Sequence, residues 1–210
     1  MTLYLDSAFL EDAQAAAALG YVRGITTNPT LLAKTGRPAD EVLPALCDTC
    51  PGPVFYQLTA DTVAGREAEA RRMLARRPNL SLKIPTTPEN LVLGARLAQS
   101  GAVVGMTAIF SAAQVYLACQ TGARYVLPYV NRSTRLLGDG LALVREMRAV
   151  IDAQRAPVEI VAASIKSPEE ATATVLAGAH HLTLPLAIIQ AMGQHALSDQ
   201  AIAEFAQARA

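Results

Sequence analysis

Lys83 lies inside Leu80-Ser81-Leu82-Lys83-Ile84-Pro85, a short apolar run that reads as a buried strand. Taking an ammonium out of water is costly, so a lysine kept in such a place is expected to be used. Desolvation favours the neutral amine, which attacks a carbonyl to form a Schiff base. The iminium is then an electron sink for making or breaking the neighbouring carbon–carbon bond. That chemistry also needs a group that moves a proton on and off a substrate hydroxyl.

Strand alternation gathers the groups that would do this. Leu80, Leu82 and Ile84 share one face, and Ser81 and Lys83 share the other. In the other apolar runs the phase of Lys83 collects Asp6, Thr26 with Asn28 just beyond it, Gln57 and Thr59, Thr107, Tyr129 and Ser164. Asp6, Lys83, Gln57, Thr107 and Tyr129 together are expected to form a reaction site. Tyr129, Asp6, or a water held by Gln57, Thr107 and Tyr129 would handle the proton. Arg132 in Tyr129-Val130-Asn131-Arg132 and Lys166 in Ser164-Ile165-Lys166 follow two of these strands and suit a phosphate. Ser167-Pro168-Glu169-Glu170 reads as a helix start, with Ser167 as N-cap and Glu170 closing a capping box.

Other candidates fall away. His180 and His181 precede or open the last strand, at the rim opposite the expected site, and are read as structural; His195 does not join the set either. No His/Asp/Glu cluster has metal-ligand spacing, and the chemistry calls for no metal or other cofactor. Cys47 and Cys50 have CxxC spacing, but no second CxxC or nearby histidine accompanies them, and with Cys119 they make an odd, sparse set. They are read as ordinary thiols of a reducing compartment.

Positioning this set requires a particular frame. Strands are expected over 3–6, 24–27, 54–59, 80–85, 103–107, 125–130, 159–164 and 181–185. Helices are expected over 8–19, 38–47, 62–75, 88–99, 111–121, 140–153, 168–176, 186–192 and 198–208. Alternating strands and helices imply parallel pairing, and eight such units imply a closed (β/α)8 TIM barrel, in the α/β class, with an additional C-terminal helix. A doubly wound sheet is the alternative, but no GxGxxG follows the first strand. In a barrel the active groups belong at the carboxyl ends of the strands. No Pro/Gly/Ser-rich linker, low-complexity tract or charge block divides 1–210, which reads as a single domain. The arginines of 66–77, interspersed with Glu67 and Glu69, read as a solvated helix face.

The chain has 18 basic and 18 acidic residues, 51% hydrophobic composition and zero formal net charge. That balance offers no footprint for nucleic acid or an acidic membrane surface. No apolar run is long enough to cross a bilayer, and the start lacks the pattern of a secretory signal, so a cytoplasmic location is expected.

Leu3-Tyr4-Leu5-Asp6, Gly24-Ile25-Thr26-Thr27-Asn28-Pro29, Lys83-Ile84-Pro85, Pro128-Tyr129-Val130-Asn131-Arg132 and Ala162-Ala163-Ser164-Ile165-Lys166 carry a resemblance over nearly the whole chain. In this order and spacing they resemble the transaldolase family, and within it the small fructose-6-phosphate aldolase-like branch. The resemblance implies a (β/α)8 barrel with Lys83 as the Schiff-base lysine on strand four. It implies that Asp6 contacts substrate hydroxyls and aids proton transfer, and that Asn28 binds near the donor. Thr26 and Asn131 join the substrate-binding set, and Ser164, Arg132 and Lys166 form the phosphate end. Gln57 and Tyr129 stand where main-branch transaldolases resemble one another in carrying glutamate and phenylalanine, which favours direct aldol chemistry with dihydroxyacetone or a similar hydroxyketone and an aldehyde such as glyceraldehyde 3-phosphate. The alternatives are a transaldolase moving the dihydroxyacetone unit between sugar phosphates and a non-catalytic barrel that binds phosphosugars. Leu127 departs from the small residue of relatives and should crowd the donor; Phe110 would reshape the acceptor channel. The resemblance also implies a homo-oligomer, a pentamer or decamer, with the C-terminal helix either capping its own barrel or packing across a neighbour.

Overall fold

The computed structural model describes residues 1–208; positions 209 and 210 of the expected domain and tail lie outside the described residues. Eight parallel strands, β1 (Thr2–Asp6), β2 (Val22–Thr26), β3 (Val54–Gln57), β4 (Leu80–Pro85), β5 (Val104–Ile109), β6 (Tyr125–Pro128), β7 (Glu159–Ala162) and β8 (His181–Leu184), close into a barrel in sequence order. The helices are α1 (Leu10–Ala18), α2 (Pro29–Lys34), α3 (Ala39–Thr49), α4 (Val63–Leu74), α5 (Pro88–Gln99), α6 (Ala112–Gln120), α7 (Val130–Leu137), α8 (Gly140–Gln154), α9 (Pro168–Leu176), α10 (Leu186–Ala191) and α11 (Ala196–Gln207). The expected α/β TIM barrel with an extra C-terminal helix is the fold observed.

The two phases of each strand build two cores. Leu80, Leu82 and Ile84 join the large core between the strands and the helices. The opposite phase fills the barrel interior, where Tyr4, Phe55, Tyr125, Leu127 and Val161 form a separate buried cluster. Glycine makes room for it at Gly105, where an added Cβ would lie 2.6 Å from Leu127 Cδ1 and 3.2 Å from Phe55 Cε1. The lysine phase therefore points into the barrel, with aromatic and aliphatic filling beneath and polar groups at the mouth.

Local chemistry sets where the helices begin. The side chains of Asn28, Thr62, Thr87, Ser111, Asp139 and Ser167 each accept a hydrogen bond from the amide three residues on. Two of the helices, α2 and α7, were not expected. Both lie on the carboxyl side of a strand and shorten it: β2 ends at Thr26 and β6 at Pro128, and Asn28 and Tyr129 become N-caps. The strand expected over 159–164 also ends early, at Ala162, and its phase is the reverse of the one expected: Val161 points into the barrel while Ile160 and Ala162 face the helices, and Ser164 reaches the cavity only beyond the strand, where it takes a left-handed φ of 60°.

Glu69 corrects the reading of the arginine-rich helix. Arg71, Arg72 and Arg76 do face solvent, with Arg71 on Glu67 and Arg76 on Asp40, and Arg77 pairs with Asp48; Arg66 is half-buried and donates to the Ala60 and Asp61 carbonyl oxygens. Glu69 is instead buried, 5% exposed, and its carboxylate accepts from Tyr56 Oη at 2.6 Å, Thr59 Oγ1 at 3.0 Å, Thr59 N at 3.0 Å and Ala60 N at 3.0 Å. Thr59, expected inside the barrel, turns outward to this carboxylate, which is why β3 ends at Gln57. These bonds hold the Glu69 carboxyl below its ordinary range despite burial. Replacing Glu69 with alanine leaves those donors unpaired and should cost about 2–4 kcal/mol, read by chemical denaturation near neutral pH. A depressed carboxyl contributes stability above its unfolded value and loses it as pH falls through the folded one, so the deficit should shrink below about pH 4.

Helix α11 contributes no buried residue, and Leu197, Ile202 and Phe205 on it are 67%, 64% and 66% exposed. It does not cap its own barrel. Among the described residues, no helix is long and apolar enough to cross a membrane.

Candidate active site

A cavity of about 430 Å³ opens at the carboxyl ends of the strands. Its wall includes Asp6, Thr26, Asn28, Gln57, Lys83, Leu127, Tyr129, Ser164, Arg132 and Lys166, so several separate strands and the loops beyond them bring most of the expected residues together. The register explains part of this convergence: Asp6 pairs with Thr26 across β1 and β2, and Gln57 with Lys83 across β3 and β4.

Lys83 is 4% exposed, and its Nζ donates to the Thr27 carbonyl oxygen at 2.6 Å. Burial pushes its ammonium down to about 8, and the negative charge of Asp6 opposes that shift. Asp6 moves the other way. Burial raises its carboxyl, against the pull of Lys83, the Thr26 hydroxyl and Lys166. Amine and acid are thus both displaced towards their neutral forms, the condition under which one can add to a carbonyl and the other can give and take a proton at neutral pH. Thr26 Oγ1 donates to Asp6 Oδ1 at 2.9 Å and fixes the carboxylate from behind.

Across the cavity, Tyr129 Oη lies 2.9 Å from Thr107 Oγ1. Burial raises the phenol, so it stays protonated and available as a donor. The Arg132 guanidinium sits over the Tyr129 ring, 4.9 Å from the centroid, which leaves its edge for an anion. A bulge between Thr107 and Ile109, with Ala108 at φ 55°, turns the end of β5 at this point.

Several expectations need correcting. Thr107 does not line the cavity; it is fully buried behind Tyr129 and holds that phenol. Asn131 is withdrawn from the cavity as well, because its Nδ2 donates to Glu170 Oε1 at 3.2 Å. Glu170 does not close a capping box on Ser167. Its other oxygen accepts from the Lys166 amide at 2.7 Å, while Ser167 caps α9 as expected. Asn131 and Glu170 therefore tie α7 to the loop bearing Lys166. Phe110 packs its edge on Tyr129, centroids 6.3 Å apart, and does not line the cavity.

Pro29, Thr30 and Leu31, the first turn of α2, also line the cavity and were not expected there. The signal was present, since Asn28-Pro29 is an N-cap followed by proline at the first helical position. His180 and His181 lie at the amino end of the barrel: His180 Nδ1 accepts from Ile160 N at 2.9 Å, and His181 packs edge-on to Tyr4. Cys47, Cys50 and Cys119 are free thiols. Among the described residues, no group of three His, Cys, Asp or Glu side chains is placed to hold a metal.

A family model described as Transaldolase/Fructose-6-phosphate aldolase matches residues 3–210. The chain belongs to this family. A probable transaldolase of Thermus thermophilus is 41% identical, over 98% of this chain and 96% of that protein. A probable transaldolase of Caulobacter sp. (strain K31) is 37% identical, over 98% of this chain and 94% of that protein. Among solved structures, a mandelate oxidase variant superposes with a TM-score of 0.62 at 15% identity, covering 88% of this chain and 65% of that one. That likeness concerns the barrel fold alone. Membership in the transaldolase/fructose-6-phosphate aldolase family makes the chain one of an enzymatic, carbohydrate-metabolising group acting on sugar phosphates, and the cavity described above occupies the catalytic end of its barrel.

Proposed function

We propose that this chain is a Schiff-base aldolase that makes and cleaves the bond between a hydroxyketone such as dihydroxyacetone and an aldehyde such as glyceraldehyde 3-phosphate. The observation that carries the reading is a buried amine lowered to about 8, opening into a cavity beside a carboxyl. In the cleavage direction Lys83 Nζ adds to the ketose carbonyl carbon, and loss of water with proton transfer through Asp6 gives the iminium. A base, Asp6 or a water held by Gln57 and Tyr129, takes the proton of the hydroxyl carried by the far carbon of the bond to be broken, which becomes the aldehyde carbon. The carbon–carbon bond breaks, its electron pair moves into the iminium to give an enamine, and the aldehyde leaves. Protonation of the enamine carbon and hydrolysis return the amine and release the ketone. Arg132, Lys166 and Ser164 would receive the phosphate.

Gln57 and Tyr129 both line the cavity, which favours the aldolase branch. The relatives named probable transaldolase favour a second reading, in which the same lysine passes the dihydroxyacetone unit to another sugar. Fructose 6-phosphate incubated alone is expected to release free dihydroxyacetone and glyceraldehyde 3-phosphate; turnover only with added erythrose 4-phosphate would favour transfer.

Leu127 lines the donor side with its Cδ1 pressed towards Gly105. Leu127→Ala is expected to raise kcat/KM for dihydroxyacetone over hydroxyacetone by about tenfold, measured in addition to one aldehyde, because the added hydroxyl gains room. An unchanged ratio would remove Leu127 from donor selection. The exposed apolar side of α11 fits a second copy of the chain, consistent with a homo-oligomer.

A further inference from the structure

Behind Asp6 stands a residue that no catalytic role in the family reading requires. Thr183 of β8 is fully buried, and its Oγ1 lies 2.6 Å from Thr26 Oγ1. A threonine hydroxyl has a single hydrogen to give. The hydrogen of Thr26 is committed to Asp6 Oδ1 at 2.9 Å, so the short contact to Thr183 has one compatible direction while Asp6 is ionised: Thr183 donates and Thr26 accepts. The result is a chain of hydroxyls in series, Thr183 to Thr26 to Asp6, linking β8, β2 and β1 inside the barrel. Bonds in such a chain polarise one another, most strongly where water is excluded.

We infer that Thr183 is a positioning residue that sets the protonation of Asp6 through Thr26, holding the carboxyl ionised further into the acid range than its burial alone would allow. It touches neither substrate nor reacting atoms. The inference rests on the reading of Asp6 as the proton-transfer group of the Schiff-base reaction. Other groups also face Asp6 or act on it: Lys83 from β4, Tyr129 before α7, and Lys166 from the loop after β7. Lys83 changes its charge as it forms its imine, and Lys166 at the cavity rim has its pull on Asp6 offset when an anionic substrate binds. Thr26 borders the cavity but is 1% exposed, and Thr183 behind it is fully buried, so the hydroxyl chain keeps its effect through the reaction cycle. As Lys83 becomes an iminium and then an enamine, the charge beside Asp6 appears and disappears, and Thr183 limits how far the carboxyl follows.

The test uses the full chain and three variants. Thr183→Val removes the hydroxyl with little change of shape, Thr183→Ala removes it while leaving space, and Thr183→Ser restores it. Asp6 is followed by carboxyl carbon-13 NMR titration, assigned by the signal lost in Asp6→Asn. The carboxyl titration is expected to move up by roughly half a pH unit or more in Thr183→Val, or in Thr183→Ala if the valine variant does not fold. Thr183→Ser should return it to the wild-type position. An Asp6 titration that superimposes on wild type in a folded hydroxyl-free variant overturns the inference, as does a shift that serine fails to reverse. The two levels separate cleanly. If borohydride fails to trap Lys83 in the wild-type protein, the Schiff-base reading falls, while the titration still reports whether Thr183 governs Asp6.

Discussion

Lys83→Met is expected to lower carbon–carbon cleavage by about 10⁴-fold or more while making the protein harder to unfold. The loss follows because no other amine reaches the same place. The remaining lysines, Lys34 and Lys166, are both exposed, and only Lys166 borders the cavity. The gain in stability follows from linkage. A lysine whose folded value is about 8 against an ordinary 10.5 binds fewer protons folded than unfolded, so stability rises with pH between those values and the full penalty is felt below 8. At pH 7 that penalty is about 3 kcal/mol, and losing the bond to the Thr27 carbonyl offsets about 1 kcal/mol of the relief. Thermal unfolding of the methionine variant should therefore rise by several degrees at pH 7, and the difference should shrink as pH approaches 10. The wild-type rate should carry the same titration: kcat/KM climbs with pH as the amine loses its proton and levels off above about 8. A methionine variant that is inactive and also less stable at pH 7 would contradict the assignment of a desolvated amine.

Asp6→Asn is expected to cost about 10²–10⁴ in kcat while leaving the lysine able to capture a ketone. The amide still accepts from Thr26 and fills the same space, so the cavity should survive. What it loses is the proton that must travel during loss of water and during cleavage. It also loses the negative charge that holds Lys83 up, since Asp6 opposes the burial of the amine. The amine limb of the residual activity should therefore move to lower pH. Borohydride trapping in this variant should remain measurable while turnover collapses. If trapping and turnover fell together, Asp6 would be needed to place the lysine rather than to move protons.

Much of this site could be read from period-two alternation, because a barrel strand sends every second side chain inward and Asp6, Thr26, Gln57 and Lys83 all obey that rule. The same signal reached Thr183, in the inward phase of the last strand, but a threonine within a strand has no chemistry of its own to draw notice. Alternation failed where the chain left the strand. Thr59 turned to Glu69, and Asn131 lay one residue inside a helix that begins at Val130, so its side chain pointed to Glu170. Glu69 itself was hidden by its neighbours: a carboxylate among arginines looks solvated, and only the fold brings the Tyr56 hydroxyl and two backbone amides to it. The short helices α2 and α7, of 6 and 8 residues, make a weak periodic pattern, although Asn28-Pro29 marked the first and Gly138 the end of the second.

The central claim is that Lys83 captures the carbonyl. Incubating the protein with dihydroxyacetone and sodium borohydride, followed by intact mass measurement and peptide mapping, tests it most directly. One reduced adduct is expected, confined to the peptide carrying Lys83 and absent from Lys83→Met. No adduct in the wild-type protein, or one placed on Lys34 or Lys166, would contradict it.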